Sequence, residues 1–435
     1  MKVRIKAPKS KIFGAINLDG DKSITHRSII ISSIAKGKSK VANYLDGEDC
    51  NRTIEIMRDL GVEINKSENE LEINGLGLTG LVEPDNVLYA GNSGTTMRLT
   101  AGLLSGQQFL SVISGDKSLS SRPMDRIIDP LNSCGANILG KKNNKRAPIV
   151  IAPGSLKPFN YSSKIASAQV KSAMLFSALY NKERSVYQEI YPSRDHTERM
   201  LKFYGADIEL SNQKIIVSGK NELIAQEMDI PGDFSTAAFF IALAALIEDS
   251  ELLINNVNLN PYRIGFLKAL SKMGLKYEIL NKQTIAEEPV ADIKVYGSKL
   301  RSIVVKPEEI PSMIDEVPLL ALVASKAKGK TRIEGVRELI YKESNRLNAI
   351  NQLLHKIGIK STIDSNSITI EGNQVQRSIE KVDFEHFNDH RMAMTIAIIA
   401  CIYNKETVIE NAEVVNISAP SFFDNLAKFA KVEVV

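Results

Sequence analysis

Cations and hydroxyls recur in this sequence immediately ahead of apolar stretches. Gly20-Asp21-Lys22-Ser23-Ile24-Thr25-His26-Arg27 sets an ammonium, a hydroxyl and a guanidinium at the start of one such stretch. A helix beginning there would offer free N–H groups that already favour an anion. Gly91-Asn92-Ser93-Gly94-Thr95-Thr96-Met97-Arg98, Ser167-Ala168-Gln169-Val170-Lys171, Pro231-Gly232-Asp233, Met313-Ile314-Asp315-Glu316 and Asn388-Asp389-His390-Arg391-Met392 are placed in the same way. A second set reads Ser120-Ser121-Arg122-Pro123, Ser193-Arg194-Asp195-His196 and Tyr341-Lys342-Glu343-Ser344-Asn345-Arg346. Lys22, Arg27, Arg122, Arg194, Lys342, Arg346 and Arg391 suit carboxylates and phosphates. The predicted ligands are therefore multiply anionic. Asp315 and Glu343 lie among these cations as a base and acid pair for moving protons.

Each group also has an ordinary explanation. Lys22, Ser23 and Arg27 could be a solvated cap, Asn92, Ser93 and Gly94 could cap a helix and turn the chain, and Asp389-His390-Arg391 could be a cap with a surface pair. Lys342, Glu343 and Arg346 could be surface neighbours on one helix, with Glu343 a routine ion-pair partner. His196 and His390 lack a metal-binding spacing, so no metal is expected. The recurrence of all these groups at like places is what favours a site.

The elements that must position them form a repeat. A small-residue apolar helix, a short strand, a loop into an amphipathic helix and a β-hairpin follow one another six times. The second helix of five copies ends on a glycine, at Gly61, Gly135, Gly205, Gly274 and Gly358, the residue that accepts a left-handed cap. These recur about every 70 residues, with a longer interval before Gly358. The apolar helices are predicted over 23–35, 93–105, 167–179, 234–247, 315–325 and 390–403, and they are apolar nearly all round, as inner helices are. The implied architecture is α/β, two lobes of three units each, with helices enclosed by sheets. The boundaries expected are 21–232 for one lobe and 1–20 plus 233–435 for the other, with hinge crossings near 18–21 and 229–234. Pro231-Gly232 breaks both periodicities at the second crossing. The strand at Lys2 to Pro8 would complete the last copy, whose hairpin stops early. If inner helices run parallel, their N-termini would open on an anion-binding cleft between the lobes.

Composition agrees with this reading. The 435 residues carry a formal charge of +4, are 43% hydrophobic and 24% charged, and exceed one ordinary core. No basic stripe or aromatic interleaving suggests nucleic acid. The run Ala237 to Ile247 is too short to span a bilayer, and no apolar segment follows the basic start as in a secretory signal. Cys50, Cys134 and Cys401 lack pairing or zinc spacing and read as reduced thiols, so a cytoplasmic protein is expected.

On Asp21-Lys22-Ser23 through Arg27, Gly91-Asn92-Ser93-Gly94-Thr95 through Arg98, Lys342-Glu343 with Arg346, and Asn388 through Met394, the chain resembles the 5-enolpyruvylshikimate-3-phosphate synthase family, the 3-phosphoshikimate 1-carboxyvinyltransferases. The resemblance covers essentially the whole chain. It implies the two-lobed enolpyruvyl transferase fold, an inside-out α/β barrel of six βαβαββ units that closes on substrate. It implies transfer of the enolpyruvyl group of phosphoenolpyruvate to the 5-hydroxyl of shikimate 3-phosphate, releasing phosphate, by addition and elimination through a tetrahedral intermediate. By resemblance, Ser23, Arg27, Ser167, Gln169, Arg194, Asp315 and Lys342 would hold shikimate 3-phosphate. Lys22, Gly94, Arg122, Gln169, Arg346 and Arg391 would line the phosphoenolpyruvate pocket. Lys22, Asp315 and Glu343 would be catalytic, and no cofactor would be needed. A monomer is expected, with no partner beyond its small substrates.

The sequence departs from the family pattern at Ala168, where a second serine is common, and near Ile417, where a lysine is common. Lys171 would compensate at the first. The sister enzyme acting on UDP-N-acetylglucosamine usually has Asn after the first lysine and a reactive Cys in the loop matching 115–122; here Ser23 follows Lys22 and that loop holds no Cys. A non-catalytic binder of a phosphorylated metabolite would not need Asp315 and Glu343 among the cations.

Overall fold

The computed structural model describes residues 1–8, 11–211, 213–372, 384–403 and 406–435. They form two compact units, Gly20–Ile230 with Thr284–Glu288, and Met1–Asp19 with Pro231–Gln283 and Pro289–Val435. The expected partition did not anticipate that Thr284–Glu288, at the turn of the hairpin Lys276–Ile285 and Glu288–Tyr296, groups with the unit Gly20–Ile230.

In the unit Gly20–Ile230 the inner helices are Lys22–Ile34, Gly94–Leu104 and Ala168–Ala178. Side chains cap all three: Asp21 accepts from Ile24 N–H at 3.0 Å, Ser93 from Thr96 N–H at 3.1 Å and Ser167 from Val170 N–H at 3.5 Å. Small residues let the second and third helices approach closely. A Cβ on Gly102 would stand 2.2 Å from the Ala173 carbonyl oxygen and 2.5 Å from its Cα. The first inner helix buries hydroxyls as well as isoleucines, and each finds a partner: Ser28 donates to Thr25 O at 2.8 Å, Ser33 to Ile29 O at 2.7 Å, and Ser32 Oγ lies 2.7 Å from the Tyr204 hydroxyl.

Three four-stranded sheets surround these helices, each with one parallel and two antiparallel pairings. In the first, Glu227–Asp229 runs parallel to Lys36–Ala42, so the end of this segment supplies the strand that its first repeat lacks. One hydrophobic core fills the unit.

The other unit repeats the plan with inner helices Phe234–Leu246, Val317–Lys326 and His390–Ile402 around a second core. Phe13–Ile16 runs parallel to Glu251–Asn258 and completes the fourth repeat. Val3–Lys6 is the central strand of a three-stranded sheet, antiparallel to Thr407–Ile409 and to Lys431–Val434, with Val3 opposite both Ile409 and Val434. Val3 and Ile5 point into the core, and Arg4 and Lys6 lie on the other face. The glycines that end the outer helices, Gly61, Gly135, Gly205, Gly274 and Gly358, have φ of 90, 93, 90, 101 and 75°, a region that favours glycine.

Candidate active site

The predicted site residues divide between the two units, and each expected substrate set has members in both. In the unit Gly20–Ile230, Lys22 opens the first inner helix, and its Nζ lies 2.5 Å from Asp49 Oδ2. Asp49 stands in the first turn of the outer helix Glu48–Asp59, and its backbone carbonyl accepts from Thr96 Oγ1 at 3.3 Å. One junction thus ties the starts of two consecutive inner helices. Arg27 is buried one turn after Ser23, where its Nη1 donates to Ser23 O at 2.8 Å, its Nε to Thr197 Oγ1 at 2.6 Å and its Nη2 to Ser172 Oγ at 2.9 Å. Thr197 is in the first turn of the outer helix of the third repeat, and through it that repeat reaches back to the first helix. Burial foremost, then the nearby Arg194 cation, pull the Arg27 guanidinium down to about 10, while Glu198 acts against them.

Gly94 begins the second inner helix beneath two guanidinium groups: a Cβ there would come within 3.4 Å of Nη1 of both Arg122 and Arg98. Arg122 also donates to Asn92 Oδ1, which is fixed in turn because Asn92 Nδ2 donates to Asp116 Oδ2 at 2.6 Å. Gln169 accepts from Arg98 Nη1 and donates from its Nε2 to Thr95 Oγ1 at 2.9 Å. Ser167 and Arg194 are half-buried near the starts of the third inner and third outer helices. Lys171 does not stand in for the missing hydroxyl at Ala168. Its fully buried ammonium is taken by Glu198 Oε1 at 2.7 Å, Glu189 Oε2 at 3.1 Å and Ser193 O at 3.1 Å.

In the other unit the arrangement centres on Arg346, which is 1% exposed at the start of the outer helix Arg346–Lys356. Its Nε and Nη2 donate to the two carboxylate oxygens of Asp389 at 2.8 and 3.2 Å, its Nη2 to Glu343 Oε2 at 2.6 Å and its Nη1 to Asp315 Oδ1 at 3.2 Å. Lys342 Nζ adds a bond to Asp315 Oδ1 at 2.9 Å. Burial alone would lower the Arg346 pKa, but Asp389, Glu343 and Asp315 outweigh it and raise it. Asp389 also accepts from Ser344 Oγ at 2.9 Å and caps the last inner helix through Arg391 N–H at 2.9 Å. Arg391 is buried, and its Nη1 meets no hydrogen-bond acceptor among the described residues.

Several readings change here. Lys342 and Glu343 do not share a helical face with Arg346; they lie in the loop ahead of it, between the short 3₁₀ turn Arg337–Tyr341 and the helix. The routine pairing of Glu343 with Arg346 does form, but inside a cluster of three acids. Asp315 precedes its helix rather than opening it, because Val317 is the first helical residue. Sequence reasoning missed Asp49, Thr197 and the partnership of Asp389 with Arg346. An acid in a first helical turn was the available signal at Asp49, but nothing local identifies Lys22 as its partner. His26 is structural: it is fully buried with its Nδ1 2.7 Å from Thr53 Oγ1, and burial first, then Lys22 and Arg27, hold its pKa well below the usual value.

Cys50, Cys134 and Cys401 are buried thiols. Among the described residues no cluster of three or more His, Cys, Asp or Glu could hold a metal ion, and no helix is long and apolar enough to cross a membrane.

Residues 6–426 match the family model of EPSP synthase (3-phosphoshikimate 1-carboxyvinyltransferase). A 3-phosphoshikimate 1-carboxyvinyltransferase of Petrotoga mobilis is 44% identical over 435 residues, 99% of this chain and 100% of that one. One from Alkaliphilus metalliredigens is 45% identical over 416 residues, 96% of this chain and 97% of its own. The solved EPSP synthase of Acinetobacter baumannii superposes with a TM-score of 0.87 at 36% identity, covering 100% of both chains. The enolpyruvyl transferase NikO of Streptomyces tendae shares the fold, with a TM-score of 0.78 at 15% identity over 99% of this chain and 98% of that one.

Proposed function

The chain belongs to the EPSP synthase family, and we propose that the two arrays, one in each unit, are the residues with which it handles its substrates. The enzyme transfers the enolpyruvyl group of phosphoenolpyruvate to the 5-hydroxyl of shikimate 3-phosphate, giving 5-enolpyruvylshikimate 3-phosphate and phosphate, a step of aromatic amino-acid biosynthesis. Ser23, Arg27, Ser167, Gln169, Arg194, Asp315 and Lys342 are assigned to shikimate 3-phosphate, and Lys22, Gly94, Arg122, Gln169, Arg346 and Arg391 to phosphoenolpyruvate.

The chemistry needs an alcohol proton removed, a proton delivered to a methylene carbon, and cations to offset a carboxylate and a departing phosphate. In the proposed mechanism Asp315 takes the proton of the 5-hydroxyl as its oxygen adds to the enol carbon, while Glu343 protonates the methylene. The tetrahedral intermediate then expels phosphate, with Lys22 offsetting the charge that gathers on it. Glu343, left as a carboxylate by its donation, takes a proton back from the new methyl group to restore the double bond. The observation that carries these roles is the Arg346 cluster, where Asp315 and Glu343 are held by one buried guanidinium on the helix next to Lys342. The orphan Nη1 of Arg391 is a ready donor for an anion oxygen. We further propose a cytoplasmic monomer, to be tested by light scattering on the eluted protein.

The decisive assay mixes the protein with shikimate 3-phosphate and phosphoenolpyruvate and measures phosphate. Release with this pair and none with UDP-N-acetylglucosamine is expected. The reverse pattern would overturn the assignment.

A further inference from the structure

Arg194 lies in the loop between the strand Ser185–Gln188 and the outer helix His196–Phe203. The residue before it, Ser193, has all three of its polar groups bound. Its N–H donates to Glu189 Oε1 at 3.0 Å, its hydroxyl donates to the same oxygen, and its carbonyl accepts from Lys171 Nζ at 3.1 Å. Lys171, on the third inner helix, is held in turn by Glu189 and Glu198. On the other side of Arg194, Asp195 Oδ1 accepts from Arg199 Nε at 2.8 Å. The half-buried Arg194 therefore stands between two anchored neighbours.

Packing does not call for this arrangement. Desolvating an ammonium and two carboxylates is costly, and apolar side chains of similar volume commonly serve a core as well or better. What the ions add is direction, since charge-assisted bonds fix donors and acceptors in place. We propose that Lys171 and Glu189 form a positioning clamp that locks Ser193 and thereby aims the Arg194 guanidinium at the phosphate of shikimate 3-phosphate; this rests on the assignment of Arg194 made above. Lys171 and Glu189 touch no substrate and act through Arg194.

The test is a double-mutant cycle by steady-state kinetics on the full chain: parent, Glu189→Ala, Arg194→Ala and the double variant. Glu189→Ala releases the Ser193 N–H and hydroxyl but leaves Lys171 its partner Glu198. It is expected to raise KM for shikimate 3-phosphate about tenfold, the order of a lost charge-assisted bond, with kcat and KM for phosphoenolpyruvate within about twofold. In the Arg194→Ala background the same change should raise KM by less than about twofold. Should Glu189→Ala fail to fold, Ser193→Ala runs the same cycle, because it deletes only the hydroxyl. Equal factors in both backgrounds, or a fall in kcat with both KM values rising together, would overturn the clamp. An Arg194→Ala enzyme with the parent's KM for shikimate 3-phosphate would instead overturn the assignment of Arg194.

Discussion

Asp389→Ala should destabilise the unit that carries Arg346 without dismantling it. The carboxylate is fully buried and accepts four hydrogen bonds, two from Arg346 and one each from Ser344 Oγ and Arg391 N–H. Breaking a buried ion pair by removing one partner costs about 3–5 kcal/mol, and losing an N-cap about 1 kcal/mol. Glu343 and Asp315 remain on the guanidinium, at 21 and 17% side-chain exposure, and offset part of that. The net is about 3 kcal/mol, or a fall in melting temperature of roughly 6–12 °C for a unit of this size. Asp389→Asn keeps the shape and a good cap through one carbonyl oxygen, but it loses the charge and turns the other acceptor into an amide NH2 facing a donor of Arg346, so it should fall between parent and Ala variant. Thermal melts followed by circular dichroism at neutral pH measure both. An Asp389→Ala protein melting within about 2 °C of the parent, which is below 1 kcal/mol, would refute the view that this buried carboxylate holds Arg346.

Lys22→Met and Glu343→Gln should each lower phosphate release by at least about a thousandfold while the far-ultraviolet spectrum is kept, since each removes a charge or proton needed in the transition state; near-parent rates in either would remove the mechanism. His26 gives a signed pH dependence. The unfolded chain binds its proton near the ordinary 6.5 and the folded chain only well below that. Between those limits the unfolded state holds the extra proton, so stability falls as the pH drops below 6.5, by up to about 1.4 kcal/mol per unit. In His26→Gln this slope should be lost, as urea midpoints at pH 7 and 5.5 would report, and an equal acid slope in parent and variant would refute it. Gly102→Ala should destabilise despite alanine's better helix propensity, because its Cβ would meet Ala173 backbone atoms at 2.2 and 2.5 Å. A raised melting temperature would show that the two helices can part without penalty.

Much of this was legible in the sequence because repetition multiplies weak signals. A glycine at 61 or 205 alone is a turn residue, but five at like positions after amphipathic helices mark a repeating unit. The inner helices were found within about two residues of their ends because they are apolar on every side, a pattern that needs no knowledge of neighbours. What escaped were contacts between separate elements, within a repeat for Asp49 and Lys22 and across repeats for the others. Asp49 meets Lys22, Thr197 meets Arg27, and Asp389 meets Arg346 across 27, 170 and 43 positions, and no periodicity within one repeat carries those pairings. Lys171 illustrates the converse error. The expectation that it replaces the hydroxyl missing at Ala168 fails because two glutamates claim it, and these were visible only once the outer helix and the strand before it were folded against it.

The strand Val3–Lys6 bears on how the chain matures during synthesis. It emerges from the ribosome long before its neighbours in the sheet, Thr407–Ile409 and Lys431–Val434. Asp19 likewise waits for Ser421, 402 positions later, to donate to its carboxylate. The segment Gly20–Ile230, by contrast, carries every strand of its own three sheets and can begin to fold while the later residues are still being made. Closing the other unit is a long-range event of the kind that slows folding. Until it happens, Val3–Lys6 lacks both of its ladder partners, and that interval is when a nascent chain is most open to misassembly and to capture by chaperones.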